Sequence, residues 1–156
     1  MEVFNLYGQE WEDEGGPEGF HRRMTRVGAR LDAEKLGATL YEVSPGERIW
    51  PYHYEYGNEE WLVVVSGTPT LRTAEGEREL QAGDVVCFLE GPGGAHQVIN
   101  RAHTAARVLM LSTKVTPSVV VYPDSDKIAL WTGNPDDRLV AKRDSSVGYW
   151  EGEAAS

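Results

Sequence analysis

The middle of the chain alternates short β-branched or apolar runs with turn signals. Ala38–Val43 (ATLYEV) stops at Ser44-Pro45-Gly46, and Trp61–Val65 (WLVVV) stops at Ser66-Gly67. Thr68–Thr73 enters the turn Ala74-Glu75-Gly76-Glu77 and returns as Arg78–Leu80. Val85–Leu89 precedes a Gly/Pro-rich loop, Glu90–Ala95, after which Gln97–Asn100 and Ala106–Ser112 continue the series. Val119–Tyr122 follows the break at Pro117-Ser118. At the other end, Val3–Tyr7 reads as a short strand before an exposed acidic loop, Gln9–Glu18. The best helix candidate is the brief stretch Leu31–Leu36, and Glu151–Ser156 reads as a frayed tail. Many short strands at even spacing predict an all-β sandwich or barrel.

The period of two also assigns faces. Side chains at i and i+2 of a strand share a face, so His53 and Glu55 point the same way. Glu60, Leu62 and Val64 share a face, and if the two apolar residues point inward, so does Glu60. A carboxylate inside a barrel is costly unless it is paired or bound to a metal. His96 lies on one face with Val98. Four ligand-type side chains, His53, Glu55, Glu60 and His96, are thus expected to converge near one end of a barrel. Tyr52, Tyr54, Tyr56, Glu59 and Trp61 fall on the opposite face. Leu62, Phe88 and Met110 are candidate pocket walls, and His21 and His103 are expected on the surface.

Composition narrows the function. At 156 residues the chain has the size of one domain. Its net charge of −10 argues against nucleic acid or an anionic membrane as partner. The N-terminus has no signal-type pattern, and no apolar run spans a bilayer, so a soluble cytoplasmic protein is expected. Cys87 is the only cysteine, which excludes an intramolecular disulfide; it reads as a small buried hydrophobe in a strand. There is no phosphate-binding glycine loop, nucleophile motif or dinucleotide fingerprint, so no organic cofactor site is expected.

Two stretches carry the most information: Gly46–Gly67 (GERIWPYHYEYGNEEWLVVVSG) and Gly83–Asn100 (GDVVCFLEGPGGAHQVIN). Together they resemble the two signature motifs of the cupin superfamily. Gly46, His53, Glu60 and Gly67 match the first, and Gly83, Pro92, the Gly93-Gly94 pair, His96 and Asn100 match the second. Asn100 suits a role in fixing a turn. The loop before Pro92 is longer than the pattern, and the spacing from Pro92 to His96 is one residue shorter. The segment Val119–Gly152 resembles a branch of small bacterial cupins.

The resemblance implies a double-stranded β-helix, the jelly-roll barrel, with short terminal extensions. It implies one cupin domain over residues 1–156, with 1–37 and 119–156 as flanks. It also implies one divalent metal ion (Mn, Fe, Zn or Ni) on three histidines and a glutamate. Glu55 stands where the second histidine of the first motif belongs, so the set here is His53, Glu55, Glu60 and His96. Either Glu55 ligates, or it pairs with an arginine. The expected partner is a small polar metabolite, and the exposed edges of an open barrel predict a homodimer.

Three classes of function follow: a metal-dependent enzyme on a small molecule, a binding or sensing module without turnover, and a protein whose site is a relic. Within the first, His53-x-Glu55…His96 also resembles the triad of 2-oxoglutarate oxygenases, with Arg107 as the candidate cosubstrate-binding cation. No catalytic residue is assigned from the sequence.

Overall fold

The computed structural model describes residues 1–154. Ala155 and Ser156, the end of the expected tail, lie outside the described residues. In chain order the elements are β1 (Asp13–Gly15), β2 (Arg22–Thr25), α1 (Val27–Arg30), β3 (Leu36–Val43), β4 (Tyr54–Tyr56) and β5 (Glu60–Ser66). Then come β6 (Thr70–Thr73), β7 (Gly76–Glu79), β8 (Val85–Phe88), β9 (Gln97–Ile99) and β10 (Ala106–Thr113). A C-terminal meander completes the list with β11 (Ser118–Tyr122), β12 (Lys127–Trp131) and β13 (Leu139–Lys142).

Every strand pair is antiparallel. One sheet runs β1-β2-β3-β10-β5-β8. The opposite wall is a three-stranded sheet, β7-β6-β9, and a four-stranded sheet, β13-β12-β11-β4. An isolated bridge between His53 and His96 joins the two parts of that wall. This is a jelly-roll barrel, closed around side chains from both walls.

Alternation decides what fills it. Val43, Leu62, Val64, Val108 and Met110 come from the large sheet, and Leu71 and Val98 from the facing one; all are buried in one cluster with Ile49, Leu80 and Phe88. Burying a Leu or Val side chain stabilises the fold by roughly 1.5–3 kcal/mol. The residues between them point outward. Leu40 and Val65 do so from β3 and β5, and they form a second cluster with Val27 on the outer face.

Three local expectations are corrected. Val3–Tyr7 is not a strand: Phe4 and Leu6 pack by their side chains on that outer cluster instead of pairing by their backbone. Arg107 holds them there, donating to the carbonyls of Leu6 (3.2 Å) and Gly8 (2.9 Å) and to Glu42 Oε2 (2.8 Å). The expected loop Gln9–Glu18 contains β1, paired to β2. The helical turn is Val27–Arg30, ahead of Leu31–Leu36, where β3 begins.

Cys87 is exposed, not buried. It lies in the edge strand β8, where Val86 and Phe88 face the core and Val85 and Cys87 face outward and are exposed. His21 and His103 are on the surface as expected.

Candidate metal centre

The site begins with a backbone arrangement. His53 and His96 exchange both main-chain hydrogen bonds, His53 N to His96 O (3.1 Å) and His96 N to His53 O (2.8 Å). In an antiparallel ladder, residues so paired project to the same face. Both imidazoles therefore enter the barrel side by side, with ring centroids 4.7 Å apart. Glu60 approaches from the opposite sheet. Its strand register sets it between Phe88 on β8 and Ser112 on β10.

The loop carrying His96 is built to a close tolerance. Gly91 N–H donates to Glu55 O (2.8 Å), and Pro92–Gly94 form a single 3₁₀ turn. A Cβ on Gly94 would collide with the Leu89 carbonyl, so the motif glycine is required by space. Asn100 Nδ2 donates to the carbonyls of Val43 and Thr104, each at 2.8 Å, and fixes the turn after β9.

The hydrogen bonds set the tautomers. His53 Nδ1 lies 3.0 Å from Pro51 O, and His96 Nδ1 lies 2.9 Å from Gly94 O. A carbonyl only accepts, so both Nδ1 atoms carry a proton, and in the neutral imidazole Nε2 presents a lone pair. His96 Nε2 is buried with no hydrogen-bond partner among the described residues. Glu60 Oε2 stands 3.7 Å from His53 Nε2 and 3.6 Å from His96 Nε2, too far for a hydrogen bond. All the ligand atoms of this trio lie within 4.8 Å of one another.

Metal–N and metal–O bonds of about 2.1 Å place neighbouring ligand atoms roughly 3–3.5 Å apart. The observed separations of 3.6 and 3.7 Å are slightly wider than this, so a small inward movement of Glu60 would bring the trio onto a divalent ion, and the second-nitrogen carbonyl bonds are the usual orienting shell of such a site. Burial, with the neighbouring His53 adding to it, pushes the His96 imidazole down to about 4; Glu60 and the Gly94 carbonyl oppose this. His96 is therefore neutral at physiological pH, as ligation requires.

Glu55 lines the same cavity without joining the trio. Its Oε2 accepts from Asn58 Nδ2 at 3.2 Å, and no arginine or lysine among the described residues is ion-paired with it. Burial, and then the charge of Glu60, raises its carboxyl above the ordinary range.

The cavity measures about 250 Å³ and is bounded by His53, Glu55, Glu60, Tyr41, Trp50 and Met110, with Gly37, Thr39 and Ser112 at one side. That is below the usual span of roughly 300–1,000 Å³ for ligand pockets and suits a small metabolite. A hollow of similar size, about 230 Å³, lies between the N-terminal arm and Leu31, but its one cation, Arg30, is already paired with Glu10 and Glu12.

Of the candidate wall residues, Phe88 stacks flat on His96 and Met110 lines the cavity, whereas Leu62 is wholly inside the core. Tyr52 faces away, buried beneath the Arg72 guanidinium at 4.2 Å. Three aromatic residues around the site carry no signal in the sequence: Trp50 and Tyr41 on the cavity wall, and Tyr122 behind His53. Trp50 stands edge-on to both imidazoles, at 5.8 and 6.0 Å, and to Tyr41 at 5.2 Å. Tyr122 stacks on His53 at 6.0 Å. Arg107 does not reach the cavity. It alternates with Val108 and Met110, so it points to the outer face, and this removes the cation that the oxygenase reading needs.

A model of the cupin domain matches residues 39–112. No curated protein matches the chain. Among solved structures, a sugar phosphate isomerase of the cupin superfamily from Silicibacter pomeroyi is 25% identical, with a TM-score of 0.75 over 80% of this chain and 78% of that one. A protein assigned as a sugar phosphate isomerase from Acidithiobacillus ferrooxidans is 22% identical, with a TM-score of 0.76 over 83% and 81%. The polyketide cyclase RemF from Streptomyces resistomycificus has the same fold at 19% identity, with a TM-score of 0.58 over 72% and 79%.

Proposed function

We propose, because this chain belongs to the cupin superfamily, that its barrel holds one divalent metal ion on His53, Glu60 and His96. The ion and the cavity beside it act on a small polar metabolite. The observation that carries this reading is the pair of imidazoles with Nδ1 tied to carbonyls and Nε2 turned bare toward a carboxylate. A buried polar atom normally has a hydrogen-bond partner, and His96 Nε2 has none among the described residues.

When bound, the ion supplies Lewis acidity to a ligand oxygen. The chain's own groups do the rest. Phe88 and Trp50 pack against the imidazoles, Glu60 would offset part of the ion's charge, and Glu55, which borders the same cavity, is proposed as a fourth ligand. Two imidazoles with one or two carboxylates suit iron(II), manganese or zinc. The reaction class to test first is sugar isomerisation, because the Silicibacter neighbour is named a sugar phosphate isomerase.

Titration of metal-free protein with Co(II), followed by visible absorption, tests the site. Bands should saturate at one equivalent and be lost in His53→Ala and His96→Ala. Unchanged bands in both variants would place the metal elsewhere.

A further inference from the structure

We infer that this cavity takes an uncharged, polyhydroxylated ligand, and that Trp50 donates its indole N–H to an oxygen of that ligand. The inference rests on the reading of the cavity as a metabolite site and adds the chemistry of what it admits.

Three observations carry it. First, Trp50 Nε1 is buried and has no acceptor among the described residues, although Trp50 lines the cavity. A buried donor left unpaired costs about 1–3 kcal/mol, and a ligand oxygen in the cavity would satisfy it. Trp50 is held in place by edge contacts to His53, His96 and Tyr41, so its N–H is fixed relative to the metal trio.

Second, the lining offers hydroxyl groups and a carboxyl group but no cation. Thr39, Tyr41 and Ser112 give hydroxyls, Glu55 gives a carboxyl, and no lysine or arginine is among the lining residues. The nearby basic side chains lie outside the lining and donate elsewhere, although Arg22 Nε is buried without a partner among the described residues. Arg22 Nη1 donates to Gly15 O (2.8 Å), and Lys114 Nζ donates to Ala33 O (3.2 Å). A phosphate or carboxylate inside the cavity would meet no Arg fork and no ammonium, the groups that normally recognise it.

Third, the lining is already acidic. Glu55 and Glu60 both border the cavity, they would offset the charge of one divalent ion bound at the trio, and a phosphate dianion added to the same space would meet further negative charge and no cation. A sugar or polyol matches each wall. A ring or carbonyl oxygen accepts from Trp50, hydroxyls donate to Glu55, and the remaining oxygens meet the hydroxyl side. On this account the chain parts from its isomerase-named neighbours in the charge of what it binds.

The test is calorimetry on Mn(II)-loaded and on metal-free protein. The probes are a panel of neutral three- to six-carbon sugars and polyols, each beside its phosphate ester. At least one neutral sugar should bind the loaded protein, with its phosphate ester at least tenfold weaker. Trp50→Phe, which keeps the aromatic wall and removes the donor, should weaken that sugar about tenfold and leave the bound Mn(II) unchanged. Arg22→Ala should leave sugar affinity unchanged. Tighter binding of the phosphate ester than of its parent would overturn the proposal. So would the absence of any neutral binder on protein that holds Mn(II), or unaltered affinity in Trp50→Phe. Failure to bind Mn(II) would count against the metal reading instead, and the panel on metal-free protein would still decide the cavity's preference.

Discussion

The imidazole of His96 lies flat on the ring of Phe88, with centroids 3.6 Å apart and planes within 4°. Phe88 sits opposite Glu60 in the strand register, so one buried ring supports the ligand beside it and is backbone-paired to the ligand across from it. Phe88→Ala should therefore do two things. It should destabilise the fold by about 3–5 kcal/mol, the usual cost of emptying an aromatic core position. It should also weaken metal binding more than that loss alone explains, because His96 loses the surface that holds its plane. Chemical denaturation and metal titration on Phe88→Leu, which refills part of the space, separate the two effects.

The pH dependence of the metal-free protein has a sign fixed by burial. His96 is depressed to about 4 in the folded chain, against an ordinary value near 6.5. The unfolded chain therefore binds the extra proton first. Stability from this group is fully present above about 6.5 and is lost as pH falls toward about 4. Glu55, raised by burial, acts in the opposite direction above its ordinary range. Glu12, Glu77 and Asp124 are lowered by arginine partners and give up their contributions only at more acid pH. Urea midpoints of native protein and His96→Gln between pH 4.5 and 7 should diverge: the native midpoint falls with acidification and the variant's is flatter. Parallel curves would show that His96 is not the titrating group.

Gly94→Ala should misplace the ligand loop. A Cβ there collides with the Leu89 carbonyl, and the Gly94 carbonyl is the acceptor that fixes His96 Nδ1. The expected outcome is a folded protein with metal affinity reduced at least tenfold. Gly93→Ala, whose Cβ meets nothing, is the control and should bind metal as the native chain does.

Much of this centre is legible in the sequence because strand alternation is a strong constraint. Once Leu62 and Val64 are placed in the core, Glu60 must follow them inward, and the match of His53 and His96 to two spaced motifs does the rest. Trp50 escapes because it sits between strands, where no period of two applies. Tyr41 escapes because the inward face of β3 is defined only by its pairing with β10, a contact distant in sequence. The N-terminal arm misleads for a related reason. Its apolar alternation is real, but Phe4 and Leu6 spend it on side-chain packing, anchored by Arg107, and not on a ladder. Cys87 misleads because a residue's apolar neighbours along the chain do not reveal that its strand ends the sheet.

Metal preference tests the proposed role of Glu55 as a ligand. As a fourth ligand, a carboxylate is harder than imidazole and should favour manganese or iron(II) over nickel and copper relative to a three-histidine set. Glu55→His should keep the fold and shift relative affinity toward nickel, copper and zinc, and Glu55→Ala should weaken manganese most. Competition titrations on the three proteins check this. One unaltered ranking in all three would remove Glu55 from the ligand set.

The central claim is that His53, Glu60 and His96 form a metal centre, and the most direct measurement of it is metal content. Native protein and His96→Ala are each equilibrated with Mn(II), freed of unbound ion and assayed by elemental analysis, with circular dichroism confirming the strand-rich fold in both. The account predicts close to one equivalent in the native chain and less than a tenth of that in the variant. Equal metal in the two proteins would contradict it.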